Sequence, residues 1–223
     1  MYSRVQQGNH VIGEQMRRTD TEDPRIARSK RLILDAAAQV FVRSGYDGTS
    51  VDDVAVAAGV AKRTVYNIYA DKEALFLATF HGLIDVAEGF IAPLASPIPL
   101  EDPERELPDL AVKLAMSVLA GPVVPLRRLL VSEAQRFPEL ARDYRRRAPD
   151  AVMASLAVAF EEAAGRGLLT VPDPELAAEH FAFLVMGADL DRGMFTGSVD
   201  RTPEDIRVRA EAGAQVFLRA YRP

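Results

Sequence analysis

The chain has 223 residues, 48% apolar and 26% charged, which is the length of one or two domains and the composition of an ordinary folded globular protein. Cysteine is absent, which rules out disulfide staples, thiolate catalysis and cysteine-based zinc sites. No apolar run reaches the roughly 18 residues of a membrane span, and residues 1–15 lack the apolar centre of a secretory signal, so a cytoplasmic location with no membrane partner is expected.

Residues 1–22 are polar and read as a flexible N-terminal arm or a short extra helix. The first helix is predicted to begin at Asp23-Pro24, with Asp as N-cap and Pro at the first helical position. Leu32, Ile33, Ala36, Ala37, Val40 and Phe41 then recur at helical spacing, and Gly45 is the expected stop. Shorter helices follow at about 50–57 and 61–67, and a longer one from 71 to about 92. Pro93, Pro97, Pro99 and Pro103 predict a loop near 93–106. Further helices are expected at 107–120 and 124–135, then at 138–147 and 149–165 as either two helices or one kinked at Pro149. Asp173-Pro174 opens a helix to about 192, and Thr202-Pro203 opens the last, to about 221. No stretch alternates as a strand would. The expected fold is all-α, with nine or ten helices: four crowded into residues 23–92 and a larger second unit behind them.

The net charge of −5 hides a split. Residues 1–80 hold 11 Lys/Arg and 10 Asp/Glu, whereas residues 81–223 hold 16 and 22. Polyanion binding depends on a local basic face, so the total decides nothing.

The informative segment is GYDGTSVDDVAVAAGVAKRTVYNIYADKEALF, residues 45–76. Two short helices joined by the tight Ala58-Gly59-Val60 turn are what a helix-turn-helix requires, because the second must cross the first steeply to enter the major groove of DNA. Val51, Val54, Ala55, Val60, Val65 and Ile68 supply the apolar contacts between helices too short to be stable alone. The second helix is otherwise polar. Lys62 and Arg63 sit in its first turn, against the helix dipole, a cost that a phosphate or a guanine edge would offset. Arg and Lys pair with guanine O6 and N7, and Thr64 and Asn67 suit base edges or phosphates. Tyr66 offers a hydroxyl to a phosphate. Thr49 and Ser50 form the cap region of the preceding helix, whose amides can also take a phosphate. Lys72, after the N-cap Asp71, is placed to clamp the same strand, and Arg25, Arg28 and Arg31 to flank the groove. Taken singly, Lys62 and Arg63 read as solvated charge, Thr49 and Ser50 as caps, and Tyr66 and Tyr69 as packing groups.

Residues 31–76 resemble the DNA-binding domain of the TetR/AcrR family. The stem is Ile33-Leu34-Asp35-Ala36-Ala37, followed by Phe41, Gly45-Tyr46, Thr49, the Ala58-Gly59-Val60 turn, Thr64, Tyr66, Tyr69 and Lys72-Glu73-Ala74-Leu75-Phe76. The resemblance implies that residues 62–67 belong to the recognition helix and that Tyr66 and Lys72 contact phosphates. The DNA-binding set is then Thr49, Ser50, Lys62, Arg63, Thr64, Tyr66, Asn67 and Lys72, in a domain of residues 23–76. One departure is Ala61, where the family usually has serine; losing that cap costs about 1 kcal/mol of helix stability.

In residues 77–223, the run Arg127-Arg128-Leu129-Leu130-Val131-Ser132-Glu133-Ala134-Gln135-Arg136-Phe137-Pro138-Glu139-Leu140 resembles the regulatory domain of the AefR-like branch, as do residues 163–169, Asp173-Pro174 and Ala177-Ala178. The resemblance implies a helical effector-binding and dimerisation domain and a homodimer built on the last two long helices. Phe181, Phe183, Leu184, Val185, Met186 and Leu190, with Ala210, Gly213, Ala214, Phe217 and Leu218, permit this; closing the monomer's own core is the plainer use. A twofold dimer implies a palindromic operator in double-stranded DNA. The resemblance also implies a repressor released by an effector held between the central helices; as a set the candidate lining residues Met116, Leu119, Leu130, Phe137, Met153, Phe160, Phe181 and Met186 imply a small apolar or aromatic effector, while taken singly each reads as ordinary core. Glu133, Arg136, Tyr144 and His180 are polar groups that could orient a ligand. Arg145, Arg146 and Arg147 read as a solvated face or a source of ion pairs.

No enzyme is expected. His10, His81 and His180 form no metal motif, no serine sits in a nucleophile elbow, and phosphate-loop and dinucleotide glycine patterns are missing, so neither a cofactor nor a metal is implied. The competing reading is a helical protein-interaction module that kept the fold and lost specific DNA binding.

Overall fold

A computed structural model describes residues 23–96 and 98–223, apart from the side chain of Phe90. The predicted arm, residues 1–22, lies outside the described residues. The elements are α1 (Pro24–Ser44), α2 (Val51–Ala58), α3 (Lys62–Ile68), α4 (Lys72–Ile91), α5 (Pro103–Leu119), α6 (Val123–Ser132), α7 (Pro138–Arg147), α8 (Pro149–Gly165), α9 (Pro174–Ala182), a π-helical turn (Phe183–Gly187), α10 (Ala188–Thr196) and α11 (Pro203–Tyr221). The stretch α9–π–α10 is continuous, so the described residues form ten rods in an all-α fold.

The local signals act as expected. The Asp23 carboxylate accepts the Arg25 N–H at the start of α1, Ser50 and Asp53 form a reciprocal capping box on α2, and Thr202 and Asp205 form another on α11. On α1 the buried stripe is Ile33, Ala36, Ala37, Val40 and Phe41, while Leu32 is turned outward. Gly59 closes α2 at φ 66°, ψ 31°, a left-handed conformation that lets the chain turn sharply into α3. α1 packs on α2 and α4, and α2 packs on α3.

Three boundaries differ from the sequence reading. α5 begins at Pro103, inside the predicted loop, because Asp102-Pro103 repeats the start device and Glu106 reaches back to accept the N–H groups of Glu101 and Asp102 at 2.8 and 3.0 Å. α6 stops at Ser132, three residues before the predicted end. The helix from Pro174 runs on to Thr196 through the π turn. Residues 138–165 form two helices, separated at Ala148 (φ −116°, ψ −85°).

The larger unit is centred on α5, which packs on α11, the π turn, α6 and α9. Here the small-residue surface of α11 is used within the monomer: Ala210, Gly213, Ala214, Phe217 and Leu218 are all buried. A Cβ on Gly213 would stand 2.5 Å from the Leu184 carbonyl oxygen, so glycine is what lets α11 lie against the π turn. No single helix among the described residues is long and apolar enough to cross a membrane; α5 and α6 pass only as a pair bent by 57°, and their apolar faces are in the core.

Candidate nucleic-acid interface and effector cavity

α3 buries only Val65, with Ile68 packed half-buried beside it, and presents Lys62, Arg63, Tyr66 and Asn67 on one exposed side. At 100° per residue these four span about 140° of the helix surface. Thr64 is half-buried on the flank. The N-cap residue Ala61 makes no side-chain cap, as its sequence implies. Lys62 is tethered: its Nζ lies 2.9 Å from Asp52 on α2 and 5.9 Å from the centre of the Tyr66 ring. Its hydrogen bond to Asp52 raises its pKa above the ordinary value.

The other proposed DNA contacts are placed unequally. Ser50 is exposed but engaged with Asp53 in the capping box. Thr49 is buried, and its hydroxyl donates to the Gly45 carbonyl at 2.8 Å, so its side chain fixes the turn before α2 and has no free face for a phosphate. Lys72 is half-buried, with Nζ 4.4 Å from the centre of the Tyr46 ring. Arg25, Arg28 and Arg31 are exposed along the start of α1.

The turn holding Tyr46 and Asp47 is gripped from the larger unit by the connection between α6 and α7. Glu133 accepts the Tyr46 N–H at 3.3 Å. Arg136 donates to both oxygens of Asp47 and lies 4.7 Å over the Tyr46 ring. That hydrogen bond holds the Asp47 carboxyl below its ordinary range. Phe137 packs on Tyr46 and Phe76, with ring centres 5.1 and 4.6 Å apart, extending an aromatic cluster that includes Phe41 and Phe80. No local pattern announces this clamp, since its two halves are 87 and 89 residues apart.

α4 serves both units. Leu75 and Phe76 are buried near its start, and farther along Ala87 and Ile91 line a partly open cavity of about 230 Å³ bounded also by α5, α6, α7, α8 and the α9–π–α10 stretch. Most of its wall is apolar; Arg127, Tyr144, Arg145, Asp150 and Glu179 are the polar exceptions. Of the predicted lining residues, Met153 and Met186 are in the wall. The others are corrected by their packing. Leu119 and Leu130 are core, Phe160 and Phe181 meet edge-to-face in a second aromatic cluster with Phe217, Phe137 belongs to the clamp, and Met116 is half-buried against the core. Tyr144 reaches the cavity, whereas Glu133 and Arg136 sit in the clamp and His180 lies 2.7 Å from the Tyr221 hydroxyl.

The arginine run is a source of ion pairs. Arg145 pairs with Asp150, Arg146 with Asp143, and Arg147 ties α7 to Asp85 and Glu88 of α4, its Nε 3.0 Å from Glu88. A feature missed in the sequence is Asp189. Only 5% of its side chain is exposed, and it collects Arg192 at 2.8 Å, Arg201 at 3.3 Å and Arg209 at 2.8 Å.

Residues 33–79 match the family described as bacterial regulatory proteins, tetR family, and residues 105–223 match the C-terminal domain of AefR-like transcriptional repressors. The chain is similar to a TetR-family transcriptional regulator from Mesorhizobium loti MAFF303099, at 34% identity and TM-score 0.69, covering 90% of this chain and all of that one. It is also similar to the flavonoid-responsive regulator FrrA, at 32% identity and TM-score 0.58, over 88% of this chain and 98% of that one. RutR of Escherichia coli strain K12 is 33% identical over 69 residues, 31% of each chain. The match spans about a third of the length of such curated relatives.

Proposed function

The chain belongs to the TetR family of bacterial regulatory proteins, with an AefR-like C-terminal domain, and from that premise we propose that it is a dimeric repressor released from a palindromic operator by a small apolar or aromatic effector. The family makes it a sequence-specific DNA-binding regulator. The observation that carries the reading is the α3 surface: Lys62, Arg63, Tyr66 and Asn67 share one exposed side of the helix that follows the glycine turn. Such a helix reads guanine through Arg or Lys and adenine through Asn, while Tyr66 and Lys72 position the backbone.

Dimerisation is supported by an apolar strip left exposed on the two final rods: Phe183 and Leu184 on the π turn, and Val208 and Val216 on α11. Phe183, at 70% exposure, is a large ring to leave in water. Twofold pairing on this strip would give the two α3 helices symmetry-related half-sites about one DNA turn apart or slightly more, hence the palindrome. The apolar or aromatic effector is supported by the apolar wall under α4 and by the likeness to a regulator described as flavonoid-responsive. Release requires the effector to bind the DNA-incompetent state more tightly than the competent one, since equal affinity shifts nothing.

The test is selection of duplexes from a random library by the full chain, followed by binding of the enriched sequence to a Lys62→Ala/Arg63→Ala/Tyr66→Ala triple variant. A palindromic consensus is expected, with at least a hundredfold loss of affinity in a variant that keeps its helicity and its dimer. Undiminished binding by the triple variant overturns the assignment of the recognition surface. A dimer that enriches no sequence favours the interaction module.

A further inference from the structure

We propose that the cavity under α4 takes a small apolar or aromatic carboxylic acid, its carboxylate held by the Arg127 guanidinium and the Tyr144 hydroxyl; this rests on the reading of the chain as an effector-controlled regulator. Tyr144, on α7, is only 6% exposed. A phenol so buried ordinarily finds a hydrogen-bond partner. The Tyr144 hydroxyl has none among the described residues, yet no polar side-chain atom is sealed away unsatisfied. Tyr144 is part of the cavity wall, so a hydroxyl that is neither bonded nor sealed off is available there to a ligand.

Arg127, on α6, is half-buried in the same wall. Among the described residues no carboxylate lies within ion-pair distance of it, whereas Arg145 in the same lining is matched by Asp150 at 3.1 Å. Burial raises the Tyr144 pKa, and the positive charge of Arg127 works against that rise, so the two groups act on the same region. The remaining acid of the lining, Glu179, is exposed on α9. The cavity thus holds one unmatched cation and one unmatched hydroxyl donor against walls such as Ile91, Leu114, Met153 and Met186. A carboxylate satisfies both: its two oxygens accept the guanidinium fork and the phenolic O–H, while the apolar body replaces water along the wall. A neutral or cationic head leaves the guanidinium without a counter-charge.

The placement also gives the ligand leverage. Arg127 and Tyr144 lie on the two helices whose connection carries Glu133, Arg136 and Phe137, the residues clamping Tyr46 and Asp47. A head group bridging α6 and α7 sets their spacing and through it the position of the clamp.

The full-length protein is titrated calorimetrically with 2-naphthoate, 2-naphthamide and 2-naphthylmethylamine, which share a ring system and differ in head-group charge. The acid is expected to bind at least tenfold more tightly than the amide. Arg127→Met, which keeps roughly the length of the side chain, should abolish that preference by lowering the acid's affinity at least tenfold and the amide's far less. Tyr144→Phe, which keeps the ring, should reduce it several-fold, and it stands as an independent test where the arginine variant does not fold. Equal binding of acid and amide, preference for the amine, binding of none of the three, or full preference in both variants overturns the proposal. An amide or amine that binds and still releases operator DNA leaves the effector-controlled regulator in place and removes only the acid. Release of DNA by no ligand of any charge, in a protein that binds the acid, removes effector control and keeps the site.

Discussion

The guanidinium of Arg136 spans both carboxylate oxygens of Asp47, at 2.6 and 3.2 Å, across 89 residues of sequence. Arg136 belongs to the connection between α6 and α7, and Asp47 to the turn that aims α2 and α3. The same guanidinium covers the Tyr46 ring, over which the Nζ of Lys72 also lies, 4.4 Å from its centre. One tyrosine is therefore shared by the α6–α7 connection and by a lysine proposed to hold DNA phosphate.

This geometry predicts a variant that folds and binds but responds poorly. The Asp47 side chain is 80% exposed, so the pair contributes little to stability despite its bidentate form. Arg136→Met and Asp47→Ala should leave the unfolding midpoint and the operator affinity of the free protein nearly unchanged. The ratio of operator affinities without and with effector should fall about fivefold, the lower end of ordinary allosteric coupling. Fluorescence anisotropy on both single variants and the double checks this. Equal loss in singles and double marks one coupled unit, and an unchanged ratio refutes the clamp as a route.

Lys62 gives a prediction in the opposite direction. Its ammonium is held by Asp52, 2.9 Å away, on the surface expected to meet DNA. Asp52→Asn removes an acid from that surface and frees the lysine, so affinity for mixed-sequence duplex should rise several-fold at low salt and lose the gain at high salt. Lys62→Ala should lower the slope of log affinity against log salt by about 1. Equal affinities for Asp52→Asn and the parent at low salt place this face away from the DNA.

Ala61 leaves α3 without a side-chain cap. Ala61→Ser restores an acceptor for the free amides of the first turn and should stabilise the helix by about 1 kcal/mol. In a chain of this size that corresponds to a midpoint shift of about 2–4 °C. A lowered midpoint in calorimetry shows that serine cannot reach the first-turn amides in this backbone.

What the sequence made legible was local. The starts at Asp23-Pro24, Asp173-Pro174 and Thr202-Pro203 are read within four residues, and so is the exposed pattern of Lys62, Arg63, Tyr66 and Asn67 around Gly59. Thr49 shows the limit: as a residue type it suits a phosphate, but its place under the turn buries it. The clamp of Glu133 and Arg136 on Tyr46 and Asp47 forms only when two distant segments meet. Likewise, helical periodicity cannot tell a wall of a cavity from a filled core. Phe160 and Phe181 were as plausible as Met153 and Met186, and only packing sent the first pair into an aromatic cluster.

At Gly213 the backbone of α11 lies close against the π turn, with no room for a Cβ. Gly213→Ala sets a Cβ against the backbone at Leu184 and Val185, which cannot swing aside as a side chain would, so a loss of about 2–3 kcal/mol is expected. Because Phe183 and Leu184 lie on the proposed dimer strip, the variant should also weaken the dimer, measured by sedimentation against concentration. A more stable protein, as glycine-to-alanine exchange gives in an unhindered helix, contradicts this packing.

Asp189 secures the other end of that turn, and its effect depends on pH. Burial alone works to raise its pKa, but hydrogen bonds from Arg209 and Arg201 outweigh the burial and hold the carboxyl below its ordinary value of 3.8. A group whose folded pKa is depressed stabilises the fold above its unfolded pKa and loses that contribution as pH falls through the folded value. Asp189→Asn leaves three arginines facing an amide. A fully buried cluster would lose more, but these arginines reach solvent, so the cost at pH 7 is expected to be about 2–3 kcal/mol. In urea unfolding the gap between parent and variant should stay constant from pH 7 to about 5 and close below about 4. A gap that persists unchanged at pH 3 shows that shape, not charge, holds Asp189 in place, and a gap that widens on acidification reverses the sign of the ion-pair argument.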